Sequence, residues 1–167
     1  MVEHLTRQNI DLVLQDMLIK LMHKAADAAR AEILPLFRRS GLKTFDKSTV
    51  GFDPVTLADK AAEQAVRAIL AEARPEDGII GEEFANLKSK SGLTWVVDPI
   101  DGTRGFVSGT PTWGVLIALA DEEGPFLGVV DQPYIGERFI GGFGTAESQG
   151  PMGKQVLSTR QNIYLSE

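Results

Sequence analysis

Two amphipathic stretches open the chain. Apolar residues recur every three or four positions from about 9 to 39, and again from 58 to 73. This spacing is typical of one face of a helix, so it predicts two helices with their apolar stripes in the core. Pro35 is expected to end the regular part of the first helix. The turn residues at 74–78 are expected to end the second.

Shorter apolar runs follow and predict a mainly antiparallel sheet. Short runs of apolar residues bounded by turn residues are typical of buried strands. The predicted strands are 79–81, 94–97, 113–120, 126–130 and 137–140. The last three are separated by short polar turns, which favours a meander. The pattern as a whole therefore predicts an α+β fold, with two N-terminal helices packed on the sheet.

Composition excludes several classes of protein. The 167 residues carry a net charge of −6 and a pI near 5.0, so no basic stripe is available for nucleic acid. There is no cysteine, which excludes disulfides and thiol catalysis. No apolar run approaches the length needed to cross a membrane, and the N-terminus lacks the plan of a secretory signal. We therefore expect a cytoplasmic protein that does not act at a membrane.

Acidic residues follow the predicted strands or lie at the start of the second helix. Any one of them is most simply a solvated turn or a helix cap. Two carboxylates three positions apart after a buried strand are costly, however, unless a cation lies beside them. Oxygen ligands of this kind suit Mg²⁺ or Mn²⁺. The acidic residues concerned are Asp59, Glu82, Glu83, Asp98 and Asp101.

A glycine and a threonine come directly after the last of these acids. Gly102 and Thr103 offer backbone N–H groups to which an anion could bind. Metal ligands on one side and anion donors on the other predict a site for phosphate chemistry. With no cysteine, and with both histidines on or before the first helix, the residues favour attack by water over a covalent enzyme intermediate.

Three sequence blocks resemble the inositol monophosphatase superfamily. They are Asp-Pro-Ile-Asp-Gly-Thr at 98–103, Gly-Glu-Glu at 81–83 and Asp-Pro-Val-Thr-Leu-Ala-Asp at 53–59. The resemblance implies a layered αβαβα sandwich, of which this chain holds mainly the N-terminal half. It also implies a Mg²⁺-dependent, lithium-sensitive phosphomonoesterase that forms a homodimer and acts on a small-molecule phosphate ester.

The resemblance also implies a metal-ligand set. Glu82, Asp98 and the backbone carbonyl of Ile100 look like ligands of a first metal. Asp98 and Asp101 look like ligands of a second, and Glu82 is implied to hold a third through water. Two or three Mg²⁺ ions are therefore expected, with Mn²⁺ as an alternative.

Further roles follow from the same resemblance. Asp59 and Thr103 look like the pair that orients and deprotonates the attacking water, with Glu82 also counted in the catalytic set. The N–H groups of Gly102 and Thr103 look like the phosphate cradle. Glu83 is similar to an acid that supports the ligands. Lys47 is similar to a basic residue near the phosphate, although its loop is one residue longer here.

The identity of the phosphate ester is read from the segments beyond this motif. Residues 104–119, with Gly-Val-Val-Asp-Gln-Pro at 128–133 and Gly-Glu-Arg-Phe at 136–139, resemble the histidinol-phosphatase branch. Histidinol phosphate is therefore the favoured substrate, in histidine biosynthesis. Inositol phosphate or another small phosphomonoester stays open. A nucleotide 3′-phosphatase would need groups that stack on a base, and the sequence offers no clear candidate.

The domain organisation is predicted from the glycine-rich tail. Residues 1–144 are expected to form the metal- and phosphate-binding domain. Residues 145–167 are expected to form a linker and the first strand of an incomplete C-terminal α/β domain. Because the resemblance places one more metal-ligating aspartate in that further domain, we expect this chain alone to have little activity. A non-catalytic module that binds metal or phosphate is the alternative from another class.

Overall fold

The computed structural model describes residues 4–39, 44–46 and 54–159, with only the backbone described for 44–46 and 54–56. Its helices are α1 (Leu12–Ile33), α2 (Leu57–Ala73) and α3 (Thr103–Ser108), and a short 3₁₀ turn follows α1 at Leu34–Leu36. Its strands are β1 (Thr44–Asp46), β2 (Pro54–Thr56), β3 (Gly78–Gly81), β4 (Thr94–Asp101), β5 (Gly114–Asp121), β6 (Gly124–Gln132), β7 (Glu137–Gly142), β8 (Thr145–Gly150) and β9 (Gly153–Val156).

One seven-stranded sheet carries most of the chain. Its strands run in sequence order from β3 to β9, while β1 and β2 form a separate hairpin. Only the β3–β4 pair in this sheet is parallel, which confirms the mainly antiparallel sheet. Strands β8 and β9 occupy a stretch for which a linker was expected, and they extend the same sheet. The domain boundary at residue 144 stays a prediction.

The first helix is shorter than its apolar pattern indicated. Its N-cap is Asp11, whose side chain accepts a hydrogen bond from the backbone N–H of Leu14. The α-helix ends at Ile33, and the next turn tightens into the 3₁₀ segment that contains Pro35. Proline has no N–H to continue the helical ladder, so the regular helix stops before it.

The core lies between the two long helices and one face of the sheet. Small residues on the buried faces, among them Ala25, Ala29 and Ala62, allow the helices to approach closely. Below them, Trp95 of β4 and Leu119 of β5 are fully buried. The predicted packing of two helices on the sheet is confirmed. No helix in the described part of the chain is long and apolar enough to cross a bilayer.

An ion pair ties the segment before α1 to the end of β5. The backbone N–H of Arg7 donates to Asp121 at 2.8 Å, and its Nε donates to the same carboxylate at 3.0 Å. These hydrogen bonds lower the pKa of the Asp121 carboxyl. Because the folded-state pKa lies below the unfolded one, the carboxylate stabilises the fold above about pH 4, the usual pKa of an aspartate.

We expect Asp121→Asn to lower the melting temperature by a few degrees at pH 7. The difference from wild type should shrink below about pH 4, since the unfolded wild-type chain then takes up a proton that the folded, hydrogen-bonded carboxylate resists. Thermal unfolding at pH 7 and pH 3 measures this. An equal difference at both pH values would contradict the assignment.

Candidate metal and phosphate site

Two neighbouring strands deliver acidic side chains to one edge of the sheet. In the parallel β3–β4 pair, Gly81 is the register partner of Val97. The next residues are Glu82, which follows β3, and Asp98, which continues β4, so they lie side by side where β3 ends. The pairing of β4 with β5 shifts register between Asp98 and Asp101. Such an irregularity re-aims side chains beside a site.

These residues line one open pocket of about 320 Å³. The pocket lies where β4 passes into α3. Six predicted residues surround it, together with one that the sequence reasoning did not single out: Glu82, Asp98, Ile100, Asp101, Gly102, Thr103 and, newly, Arg104. Arg104 begins the segment 104–119 that resembles the histidinol-phosphatase branch, but it was not predicted as a site residue.

Asp98 is the most perturbed acid in the pocket. Its Oδ1 is buried and has no hydrogen-bond partner among the described residues, while its carboxylate accepts the backbone N–H of Ile100. Burial, followed by the charges of Glu82, Asp101 and Asp59, raises the pKa of Asp98 to about 6. A buried oxygen without a donor, facing other carboxylates, is the chemical environment that a cation relieves.

The acids are close enough to interact, but they do not converge on a single point. Within the described ranges, no set of three acidic or histidine side chains could hold a metal ion as placed. Like charges at short range favour this separation. The donor set is nevertheless all oxygen, as Mg²⁺ and Mn²⁺ prefer, and it includes the unsatisfied Oδ1 of Asp98.

Asp59 and Thr103 reach the same region from two helices. Asp59 lies in the first turn of α2, is 1% exposed, and is near enough for its charge to raise the pKa of Asp98. The Thr103 hydroxyl donates to the carbonyl of Ile100 at 3.0 Å. A carbonyl oxygen has two lone pairs, so this bond leaves Ile100 one acceptor site for a cation.

Gly102 sets the turn between β4 and α3. Its φ of 84° lies in the left-handed region, and a Cβ added here would lie 2.7 Å from the backbone oxygen of Thr112. Both facts require glycine. The Gly102 carbonyl accepts the N–H of Phe106 at 3.1 Å. The first N–H groups of a helix have no partner within it, and at α3 they belong to the residues that line the pocket.

Glu83 is a predicted residue that is not among those lining the pocket. The backbone N–H of Glu83 donates to Glu63 of α2 at 2.7 Å. Lys47 lies outside the described residues. The sequence reasoning missed Glu63, although it is a charged residue on the apolar face of α2, between Ala62 and Val66, and so could have been found from the helical pattern.

The fold and the pocket together define a class of α+β protein. In this class, acidic side chains and a Gly-Thr turn lie together at one end of neighbouring strands. A sequence model of the inositol monophosphatase family matches residues 14–162. The chain therefore belongs to the inositol monophosphatase family. Proteins of this family are generally metal-dependent.

Curated relatives include two histidinol-phosphatases. The enzyme of Streptomyces coelicolor is 37% identical over 153 residues, a match that covers 89% of this chain and 55% of the relative. The enzyme of Mycobacterium tuberculosis is 43% identical over 119 residues, covering 71% of this chain and 46% of the relative. The chain thus spans about half the length of the curated relatives it matches.

Solved structures agree on the fold. An inositol monophosphatase from Zymomonas mobilis superposes with a TM-score of 0.69 at 39% identity, covering 87% of this chain and 53% of that one. The extragenic suppressor protein suhB from Bartonella henselae gives a TM-score of 0.75 at 28% identity, covering 87% and 56%. The α+β fold expected from the sequence is confirmed.

Proposed function

We propose that the protein hydrolyses a small phosphate monoester with the help of divalent metal, and that histidinol phosphate is its substrate. One observation carries the proposal. Asp98 and Asp101 at the end of β4 and the Gly102–Thr103 turn line one pocket. In it, the buried Oδ1 of Asp98 has no hydrogen-bond donor among the described residues. Metal ligands next to anion donors are what phosphoryl transfer to water needs.

The proposed ligands are all oxygen atoms of this pocket. Glu82, Asp98 and the carbonyl of Ile100 would hold one Mg²⁺, and Asp98 and Asp101 would hold a second. A third ion, held through Glu82, is a further possibility to test. So is Mn²⁺ in place of Mg²⁺. A bound divalent cation lowers the pKa of water so that hydroxide becomes available near neutral pH.

The remaining residues orient the reactants. The Thr103 proton is engaged by the Ile100 carbonyl, so its oxygen is left to accept a hydrogen bond from the attacking water. Asp59, in the first turn of α2, is the proposed proton acceptor for that water. The N–H groups of Gly102 and Thr103 are proposed to bind the phosphate oxygens, on which negative charge is spread during transfer.

The proposed substrate rests on the relatives. Histidinol-phosphatases match at 37% and 43% identity over most of this chain. An inositol-1-monophosphatase from Rhizobium meliloti is 39% identical over a shorter region, 98 residues or 54% of this chain. Inositol phosphate is therefore the second candidate.

A substrate panel tests the proposal. Phosphate release is measured for histidinol phosphate, inositol 1-phosphate and a simple aryl phosphate, with Mg²⁺ and with chelator. The assay uses the protein isolated from its native cells and the 167-residue chain in parallel. We expect the cellular protein to prefer histidinol phosphate by at least about tenfold in kcat/KM, with release abolished by chelator. Release that chelator leaves unchanged would refute metal dependence, and a preference for inositol 1-phosphate would refute the substrate.

Replacing Thr103 by Ala tests the proposed water-orienting role. We expect kcat to fall by about tenfold to a hundredfold, because the water loses one orienting acceptor. Mn²⁺ affinity should stay within about twofold, since the threonine side chain is not a proposed ligand. Thr103→Ser, which keeps the hydroxyl, should retain most of the activity. Steady-state kinetics and calorimetry measure both quantities, and a large loss of affinity in Thr103→Ala would contradict the role.

Two proposals follow from membership of the family rather than from the site. We propose that the protein forms a homodimer and that Li⁺ inhibits its phosphatase activity. Light scattering after gel filtration tests the first, and phosphate release in the presence of LiCl tests the second. A monomer at micromolar concentration, or activity that millimolar Li⁺ leaves unchanged, would refute the respective proposal.

A further inference from the structure

A carboxylate is buried beneath the loop that carries Glu82. Glu63 lies in the middle of α2, one helical turn after Asp59, and it is fully buried. One of its oxygens accepts the backbone N–H of Glu83 at 2.7 Å. The other accepts Nε of Arg67, also at 2.7 Å. The buried charge is therefore paired with a guanidinium and bonded to the loop.

The same carboxylate touches the loop on the other side of Glu82. A Cβ added at Gly81 would lie 2.0 Å from Oε1 of Glu63, so only a glycine fits against this oxygen. Glu63 therefore contacts the residue before Glu82 and bonds the residue after it. The backbone of Glu82 is held from both sides by one side chain of α2.

Arg67, one helical turn after Glu63, also contacts the loop that carries Glu82. Its Nη2 donates to the carbonyl of Phe84 at 3.3 Å, and its guanidinium lies over the Phe84 ring, 5.8 Å from the centroid. Residues 59, 63 and 67 are spaced by four, so they share one face of α2. That face carries Asp59 in the first turn of α2 and holds Glu63 and Arg67 against the Glu82 loop.

We propose that Glu63 is a positioning residue for the metal site, and this inference rests on the proposed function. It fixes the Glu82 backbone relative to Asp59 and Asp98, so that the Glu82 carboxylate is available to the cation. A buried ion pair is weak support for stability, since apolar residues of similar volume often serve as well. Groups that orient metal ligands, in contrast, commonly change metal affinity by about 10- to 100-fold when they are removed.

Mn²⁺ affinity, measured by calorimetry on the purified chain, tests this inference without relying on activity. We expect Glu63→Gln to weaken Mn²⁺ binding by about tenfold or more. The matched control is Glu72→Gln, which removes the same charge from an exposed position of the same helix and should leave the affinity unchanged. If Glu63→Gln fails to fold, the Mn²⁺ affinity of Gly81→Ala tests the inference instead. This substitution disturbs the same contact from the loop side while keeping every charge.

A double-mutant cycle separates positioning from a general loss of structure. In a Glu82→Gln background, adding Glu63→Gln should change the Mn²⁺ affinity by less than about twofold, because the group that it positions is already altered. An equal loss in both backgrounds, or wild-type affinity in Glu63→Gln and Gly81→Ala, overturns the inference. If the wild-type chain itself binds no Mn²⁺, the proposed metal site fails instead.

Discussion

Replacing Asp98 by Asn is expected to abolish the proposed function. Asp98 is the proposed ligand shared by two cations, and its Oδ1 is the buried pocket oxygen without a donor among the described residues. An amide keeps the shape but loses the negative charge, so we expect Mn²⁺ affinity to fall below detection. Phosphate release should fall by about a thousandfold or more, because the negative charge of the transition state loses the cations that chiefly stabilise it.

The same substitution should stabilise the protein when no metal is bound. The pKa of Asp98 is raised to about 6 by burial and by neighbouring acids, so the folded state is disfavoured wherever Asp98 is charged. In chelator, Asp98→Asn should therefore raise the free energy of unfolding by about 1–2 kcal/mol at pH 7, allowing for solvent screening in the open pocket.

The stability gained on Asp98→Asn is expected to depend on pH. The gain should be absent below about pH 4, where the wild-type carboxyl is protonated in both the folded and the unfolded state, and complete above about pH 6. Denaturant unfolding with EDTA measures it. Asp16→Asn, at an exposed position near the start of α1, is the control and should change neither Mn²⁺ affinity nor this profile. An Asp98→Asn variant that binds Mn²⁺ like wild type would contradict the ligand assignment.

The second large effect is expected for Gly102→Ala. Alanine at a φ of 84° costs about 1–2 kcal/mol, and its Cβ would also meet the backbone oxygen of Thr112 at 2.7 Å. The combined loss of stability should be about 2–3 kcal/mol. Since the turn must shift to relieve the overlap, the proposed phosphate cradle moves with it, and phosphate release should fall by about a hundredfold or more.

Gly136→Ala is the matched control for this substitution. Gly136 has a φ of 80°, close to that of Gly102, but no atom of the described residues lies within 4 Å of an added Cβ. It belongs to the turn between β6 and β7, away from the pocket. We expect a smaller loss of stability and unchanged kinetics. Equal kinetic losses in Gly102→Ala and Gly136→Ala, measured at the same folded fraction, would show that the effect is global and not local.

Much of the fold follows from the spacing of apolar residues. The stripes of the two long helices and the short apolar runs between turn residues were enough to predict α1, α2 and strands β3–β7. The apolar pattern of the first helix runs on to residue 39, but the regular helix ends at Ile33, just before Pro35, as expected from the missing N–H of proline. The two strands at 145–156 were not predicted, because they are polar and glycine-rich and show no alternation.

The site was predictable to the extent that it is local in sequence. The motif at 98–103 gives its own residues, and the parallel pairing of β3 with β4 explains why Glu82 joins them. The register shift between Asp98 and Asp101 depends on pairing with β5, which spacing alone does not reveal. Glu63 was missed because its role depends on a loop about twenty residues further along the chain.

Anomalous diffraction from crystals of this protein soaked in Mn²⁺ would test the central claim most directly. The account predicts a peak in the pocket at the end of β4, within about 2.0–2.3 Å of carboxylate oxygens of Asp98 and Asp101, and a second oxygen contact from Glu82 or the Ile100 carbonyl. No peak in this pocket at millimolar Mn²⁺, or peaks only at surface carboxylates elsewhere, would contradict it.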